Sequence, residues 1–235
     1  MIKFFRHIRR SLINQNKMGK YFKYAIGEIL LVVIGILIAL QVNTWKESKS
    51  NRQLEIRYLT NMLAELKTDS IGINNKFNLI KKQALTKDKF LDMVMGKIKA
   101  DSLVDYFNIQ WRPIFPYKAL NATYSEMSSS GHLGIVKNDQ LREQIIKTYN
   151  QFENLKENEA FFIDYYSEQI TIMSAHFGDI YNPTDQEIMN IGQLGELTNT
   201  IRLNGANVRT DTYKKTLESC QKLINSINDY KQKIE

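Results

Sequence analysis

Apolar residues recur at spacings of three to four along most of the chain, which is the periodicity of one face of an α-helix. This spacing predicts an amphipathic helix that runs to about residue 84 and a further helical segment that stops near Gly96. Gly72 lies inside the first helix and weakens its predicted continuity, because glycine is a poor helix former. Further helices are predicted over about 101–107, 119–130, 138–176, 184–203 and 209–234.

Several helix ends carry local sequence signals. Asn138 is a predicted N-cap, and Thr184 followed by Glu187 forms a capping-box pattern. Gly131 follows a serine run and is typical of a left-handed helix terminus. No segment shows the sustained alternation of apolar and polar residues that is typical of strands. The sequence therefore predicts an all-α protein, with an antiparallel bundle of four to five long helices.

One stretch is apolar on every side. Residues 25–42 read AIGEILLVVIGILIALQV, and these 18 residues span about 27 Å as a helix, close to the thickness of a bilayer core. Tyr24 and Trp45 flank the stretch, where aromatic rings settle at membrane interfaces. The stretch is longer than the apolar core of a signal peptide, and no small-residue cleavage pattern follows it. We therefore predict an uncleaved transmembrane helix.

The net charge of +7 is concentrated at the N-terminus. Residues 1–24 carry seven basic side chains and no acidic one, whereas residues 43–235 carry 25 basic and 24 acidic side chains. A nucleic-acid-binding protein needs its basic surface on the folded domain, so this class is excluded. The asymmetry instead predicts a cytoplasmic tail (1–24), a membrane helix (25–42) that continues into the rest of the chain, and an extracytoplasmic helical domain (43–235).

The first thirteen residues place aromatic and aliphatic side chains at helical spacing. The cations Lys3, Arg6, Arg9 and Arg10 fall largely on the other side. Such a helix would lie on the anionic inner leaflet and bind membrane lipids. The alternative is a disordered basic tail that only sets the topology.

Glu28 is a carboxylate inside the apolar stretch, which marks it as a candidate functional residue. It falls on or near one helical stripe with Gly27, Gly35 and Ala39, small residues that allow helices to approach closely. This stripe is a candidate face for a homodimer or for a membrane-protein partner. Alternatively, Glu28 is an interfacial acid near Lys20 or Lys23, and the glycines have no role.

Residues 111–117 read WRPIFPY, and two prolines exclude a regular helix here. Trp111, Phe115 and Tyr117 either cover the end of the core or form a docking loop for a partner.

The residues that usually carry catalysis are sparse. The three histidines are His7, His132 and His176, and His176 with Asp179 supplies at most two metal ligands, so we predict no metal site and no cofactor. Ser128–Ser130 beside His132 lack an evident orienting acid. Cys220 is the only cysteine, which excludes an intrachain disulfide and predicts a small buried residue. We therefore predict that the protein is not an enzyme.

Three stretches are similar to a family of uncharacterised bacterial single-pass membrane proteins. They are YAIGEILLVVIGILIALQVNTW (24–45), RYLTNMLAELKTD (57–69) and TYSEMSSSGHLGIVKNDQLREQIIKTY (123–149). The resemblance implies topology and helical content but no activity and no catalytic residue. It places the chain in a cell inner membrane, with a cytoplasmic N-terminus and a periplasmic C-terminal domain.

Three functions remain open. The leading hypothesis is a non-enzymatic, membrane-anchored interaction or scaffold protein. A second is a periplasmic ligand sensor without its own output domain, which a sizeable apolar pocket would favour. The third is an accessory subunit of a proton-driven membrane complex that uses Glu28.

Overall fold

The structure is a computed structural model that describes residues 18–112 and 114–234. All regular secondary structure in these residues is helical, which confirms the all-α class. Three helices are long, namely α1 (Met18–Val94), α4 (Asp139–Ser174) and α7 (Ala206–Ile234). Four are short, namely α2 (Leu103–Trp111), α3 (Ala122–Ser129), α5 (Asp185–Asn190) and α6 (Gly195–Arg202). Two 3₁₀ turns cover His132–Ile135 and Ile191–Gln193. The sequence predicts four to five long helices, whereas the described residues contain three.

The chain divides into two compact units, Met1–Glu55 and Ile56–Glu235. The described part of the first unit is the N-terminal portion of helix α1, up to Glu55. Among the described residues, one helix is long and apolar enough to cross a membrane, and its apolar 18-residue window has a mean hydropathy of 2.6 and contains no buried residue. The predicted span at 25–42 lies within this helix. The predicted lipid-binding cations Lys3, Arg6, Arg9 and Arg10 lie outside the described residues.

In the second unit, α4 and α7 run antiparallel. Thr148 bonds to Ser219 at 3.0 Å, and Gln151 donates to Thr216 at 3.2 Å, so positions advance along one helix as they recede along the other. The second half of α1 also runs antiparallel to α7, since Lys231 donates to the Thr60 hydroxyl at 2.7 Å and the Cys220 Sγ lies 3.3 Å from the Leu66 carbonyl oxygen.

The three long helices are held by apolar stripes at three- and four-residue spacing, which place one face of each helix in the core. The fully or nearly fully buried members of these stripes include Leu59, Met62, Leu66, Ile73 and Ile80 on α1, Ile145, Tyr149 and Leu155 on α4, and Tyr213, Cys220, Leu223 and Ile227 on α7. Burial of these side chains is the main stabilising contribution to the second unit.

Local capping signals predicted three helix ends correctly. The Asn138 side chain accepts a hydrogen bond from the Leu141 amide at 3.0 Å, and Thr184 with Glu187 forms the complete capping box. Gly131 has a φ of 72°, the left-handed conformation expected there. These signals succeed because donor and acceptor lie within four residues of each other.

The prediction of one helix over 184–203 is wrong. The segment is divided into α5, a 3₁₀ turn and α6, and Leu194 between them has extended backbone angles (φ −108°, ψ 102°). A β-carbon at Gly192 would overlap the Val94 carbonyl group. The backbone therefore passes directly against the end of α1, and this tertiary contact accompanies the break.

Candidate functional site

A groove of about 640 Å³ opens on the surface of the second unit, between α3, α4 and the segment 116–121. Its size falls within the usual range for small-molecule sites, roughly 300–1,000 Å³. We call it the tyrosine groove. Its lining is mostly apolar and includes Tyr117, Lys118, Tyr124, Ser125, Ser128, Tyr149, Phe152, Glu153, Lys156, Ala160 and Ile163.

Helix α4 supplies one side of the groove, because residues spaced by three and four share one helix face. Tyr149 and Phe152 are buried, and their rings meet edge to face with centroids 5.4 Å apart. Tyr149 also stacks on Tyr124 of α3, with centroids 4.2 Å apart and planes only 4° from parallel. This side of the groove is therefore a rigid aromatic surface.

Helix α3 supplies the more polar side. Tyr124, Ser125, Ser128 and Ser129 all line the groove, and residues four apart on a helix lie one above the other. The first turn of α3 is held by Glu65 of α1, whose Oε1 accepts hydrogen bonds from the Thr123 amide at 3.1 Å and the Thr123 hydroxyl at 2.8 Å. Glu65 thus takes the place of a local N-cap.

Asp69 of α1 fixes the segment that forms the third side. Its Oδ1 accepts hydrogen bonds from the Tyr117 hydroxyl and from the Leu120 amide, both at 2.9 Å. A β-carbon at Gly72, one helical turn further on, would overlap the Tyr117 ring. Gly72 therefore interrupts neither the helix nor its packing, since it makes the space in which the ring lies against α1.

Arg209 of α7 holds the other end of this segment. Its Nη2 donates to the Ile114 carbonyl at 2.9 Å, and the Tyr213 hydroxyl accepts from the Tyr117 amide at 3.2 Å. The guanidinium also forms two bonds to Glu159, at 2.7 Å from Nε and 2.6 Å from Nη2. Arg209 and Glu159 are only 1% and 2% exposed, so the segment is attached to a buried ion pair.

Burial changes the chemistry of the groove's phenols. It raises the pKa of Tyr149, and burial together with the bond to Asp69 raises the pKa of Tyr117. Both side chains are therefore neutral phenols at physiological pH. The Tyr149 hydroxyl and the Asp69 Oδ2 are buried without a hydrogen-bond partner among the described protein atoms. The hydroxyl groups of Tyr117 and Tyr149 are therefore directed into the protein, the first onto Asp69 and the second into a buried position.

The charges at the groove are unequal. Glu153 is paired with Lys156 at 2.8 Å on the surface of α4. Lys118 is exposed, and no carboxylate in the described residues lies within ion-pair distance of it. The groove therefore carries one cation in excess.

The structure places the three residues of the predicted docking loop in different surroundings. Trp111 stacks on Phe107 with centroids 5.8 Å apart and meets Tyr181 edge to face. Phe115 is 68% exposed. Tyr117 lines the tyrosine groove. The structure thus does not bring the three rings together on one exposed surface.

The predicted membrane stripe lies on α1 in the first unit. Glu28 lines a surface depression with Ala25, Ile29, Val32 and Val33. Gly27, Gly35 and Ala39 do not line it. Space is open around Gly27 and Gly35, because a β-carbon there would have no neighbour within 4 Å among the described residues.

The serine run and His132 are tied into structural contacts. The Ser129 and Ser130 hydroxyls donate to the Glu126 carbonyl at 3.2 and 2.6 Å. His132 Nδ1 lies 2.8 Å from the Tyr58 hydroxyl, which donates to the Glu126 carboxylate at 2.9 Å. In the part of the chain that the structure describes, no group of three His, Cys, Asp or Glu side chains is arranged to hold a metal.

Sequence reasoning did not single out Asp69, Glu159, Arg209 or the Tyr124–Tyr149 pair. A signal was present, because the three charged residues fall in the apolar registers of their helices. Asp69 lies between Leu66 and Ile73, and Glu159 lies between Leu155 and Phe162. A charged side chain at a core position has to find a partner, and so marks a buried polar contact.

The model of a family of unknown function, DUF6090, matches residues 28–203, which is most of the chain. The chain belongs to the DUF6090 family. No curated protein and no solved structure matches it. The DUF6090 match contains every residue that lines the tyrosine groove, together with Asp69 and Glu159.

Proposed function

We propose that this DUF6090 protein is a single-pass membrane protein that binds a ligand in the tyrosine groove, without catalysing a reaction. The observation that carries the proposal is the groove itself. Its aromatic surface, its serine side and its single excess cation converge on a space large enough for a small organic molecule.

The membrane placement is part of the same proposal. The apolar helix near the N-terminus supports a transmembrane anchor, and the seven cations before it support a cytoplasmic N-terminus. The helical second unit would then lie in the periplasm of a bacterial inner membrane. This arrangement gives the groove access to molecules outside the cytoplasm.

The groove's own residues favour binding over catalysis. A catalytic site needs a nucleophile or base within hydrogen-bond reach of an activating partner. Here the acidic partners have other tasks, since Asp69 holds Tyr117 and Leu120, and Glu159 is paired with Arg209. The phenols are held in their neutral form by burial.

Site-specific photocrosslinking in cells tests this proposal. A benzophenone amino acid at Ala160 lies in the groove, whereas one at Ala64 lies on an exposed face of α1 outside it. We expect a reproducible adduct at position 160 that is missing at position 64. If the two positions give the same pattern, or neither gives an adduct, the tyrosine groove does not bind a ligand in cells.

A second function, the docking of a protein partner, is favoured by one observation. Phe115 is 68% exposed and lines a small cavity beside the tyrosine groove. Large exposed aromatic side chains are enriched at protein interfaces. A scaffold or interaction role would give a protein adduct rather than a small-molecule adduct at Phe115 in the same crosslinking experiment.

A further inference from the structure

We propose that the tyrosine groove takes a small organic anion with a flat apolar body, its ring lying against the aromatic surface and its acid group at Lys118. This inference rests on the proposed function and names the ligand class. Three features of the groove favour this class of ligand, namely the shape of its lining, its charge and its hydrogen-bond donors.

The lining fits a flat body. Tyr124 and Tyr149 are stacked nearly in parallel, and Phe152 meets Tyr149 edge to face, so three aromatic rings in ordered contact line the groove. Aromatic pairs in these geometries gain about 0.5–1.5 kcal/mol beyond the area that they bury. A planar ring system can use this geometry, whereas a puckered saturated ring of the same size cannot.

The charge favours an anion. The positive charge of Lys156 is balanced by its ion pair with Glu153, and the charge of Glu157 also attracts it. Lys118 is exposed at the groove and has no carboxylate within ion-pair distance among residues 18–112 and 114–234. A carboxylate or sulfonate on the ligand would supply this missing partner.

The donors on α3 fit the same ligand. Ser125 and Ser128 line the groove on α3, next to Tyr124 in the chain and one turn from it. A hydroxyl group donates readily to an acid group, so the polar end of the ligand meets hydrogen-bond donors while its body remains against apolar carbon.

The experiment uses the full-length protein in phosphatidylcholine nanodiscs, with empty nanodiscs as the blank. Isothermal titration calorimetry compares naphthalene-2-carboxylate with neutral 2-naphthylmethanol, with the 2-naphthylmethylammonium cation, and with saturated decalin-2-carboxylate. The variants are Lys118→Gln, the control Lys99→Gln at an exposed site outside the groove, and Ala160→Trp, which fills the groove.

We expect naphthalene-2-carboxylate to bind several-fold more tightly than the other three probes. Lys118→Gln should weaken this probe alone, by up to about five-fold as for an exposed ion pair. Lys99→Gln should change nothing, and Ala160→Trp should abolish binding.

Each other outcome contradicts a defined part of the inference. Equal binding of the anion, the alcohol and the cation, all blocked by Ala160→Trp, would overturn the anion while leaving the groove as a binding site. Tight binding of decalin-2-carboxylate would overturn the flat body. If none of the probes bound, the ligand class would be wrong, and the crosslinking at Ala160 would decide separately on the proposed function.

Discussion

Removal of one partner from the buried Arg209–Glu159 pair should destabilise the second unit far more than removal of a surface pair. Glu159 has two hydrogen bonds from Arg209 and a third from the Tyr213 hydroxyl at 3.0 Å. Arg209 Nη1 also donates to the Tyr166 hydroxyl at 2.8 Å. Substitution of Arg209 would therefore leave the Glu159 carboxylate with only the Tyr213 hydroxyl as a donor, and substitution of Glu159 would leave the Arg209 guanidinium without an anion.

The magnitude follows from distance and burial. At the 2.6 Å separation of Nη2 and Oε2, two unit charges attract by about 6 kcal/mol at an effective dielectric constant of about 20. Desolvation of each ion costs several kcal/mol, so the intact pair contributes little net stability. A single substitution leaves the other charge buried without its partner, and it should cost about 3–5 kcal/mol.

A double-mutant cycle measures this coupling. Arg209→Met, Glu159→Leu and the combined variant are unfolded in urea, with the loss of helical circular dichroism as the signal. The combined variant should be more stable than the sum of the single effects implies, by at least about 2 kcal/mol.

The surface pair Glu143–Lys147 lies on α4, the helix that also carries Glu159, and is the matched control. Its atoms lie 2.7 Å apart, but the side chains are 65% and 71% exposed, so the coupling should not exceed about 0.5 kcal/mol. Single substitutions of Arg209 or Glu159 that cost less than about 1 kcal/mol would refute the reasoning. So would equal couplings for the two pairs.

Three further outcomes can be measured by the same unfolding experiment. Tyr149→Phe removes a buried hydroxyl without a partner and should leave stability unchanged or raise it by up to about 1 kcal/mol, whereas Tyr166→Phe breaks the bond from Arg209 and should lower it by about 1–3 kcal/mol. Equal losses in the two variants would contradict this. Gly72→Ala should lower stability by about 1–3 kcal/mol because the methyl group meets the Tyr117 ring, and a gain from better helix propensity alone would contradict the packing. Burial raises the pKa of Asp69, so the folded state binds its proton more tightly than the unfolded state, and the stability contribution of this group falls as pH rises above its ordinary value of 3.8. Asp69→Asn should therefore be more stable than the wild type at neutral pH and should lose this advantage below pH 3.8. A stability difference that does not change with pH would contradict the raised pKa of Asp69.

The sequence allowed the prediction of those features that depend on neighbouring residues. The caps at Asn138 and Thr184 and the turn at Gly131 involve contacts within a few residues, so the local pattern contains both partners. The helical class follows in the same way from the spacing of apolar residues. The break near Gly192 was missed because its partner, Val94, lies almost a hundred residues away.

The groove depends almost wholly on such distant contacts. The sequence identified Tyr117 as an aromatic residue in a loop. Only the fold shows that its hydroxyl donates to Asp69 and that its ring packs on α1 at Gly72. The Tyr124–Tyr149 stack likewise joins two helices whose relative placement the sequence does not state. The sequence did show charged residues at core positions of the helices. Such residues indicate that buried polar contacts exist, but they do not identify the residue at the other end of each contact.

Occupancy of the tyrosine groove in the native membrane is the most direct test of the account. Cys220 is buried and its pKa is raised by burial to about 12, so it does not react with maleimide, and a cysteine introduced at Ala160 can be labelled selectively. The rate of labelling is measured in native membranes and again after purification, with Ala64→Cys as the control. We predict that Ala160→Cys is labelled several-fold more slowly in native membranes, while Ala64→Cys is labelled at the same rate in both. Equal rates for Ala160→Cys in the two preparations would contradict a ligand-binding groove.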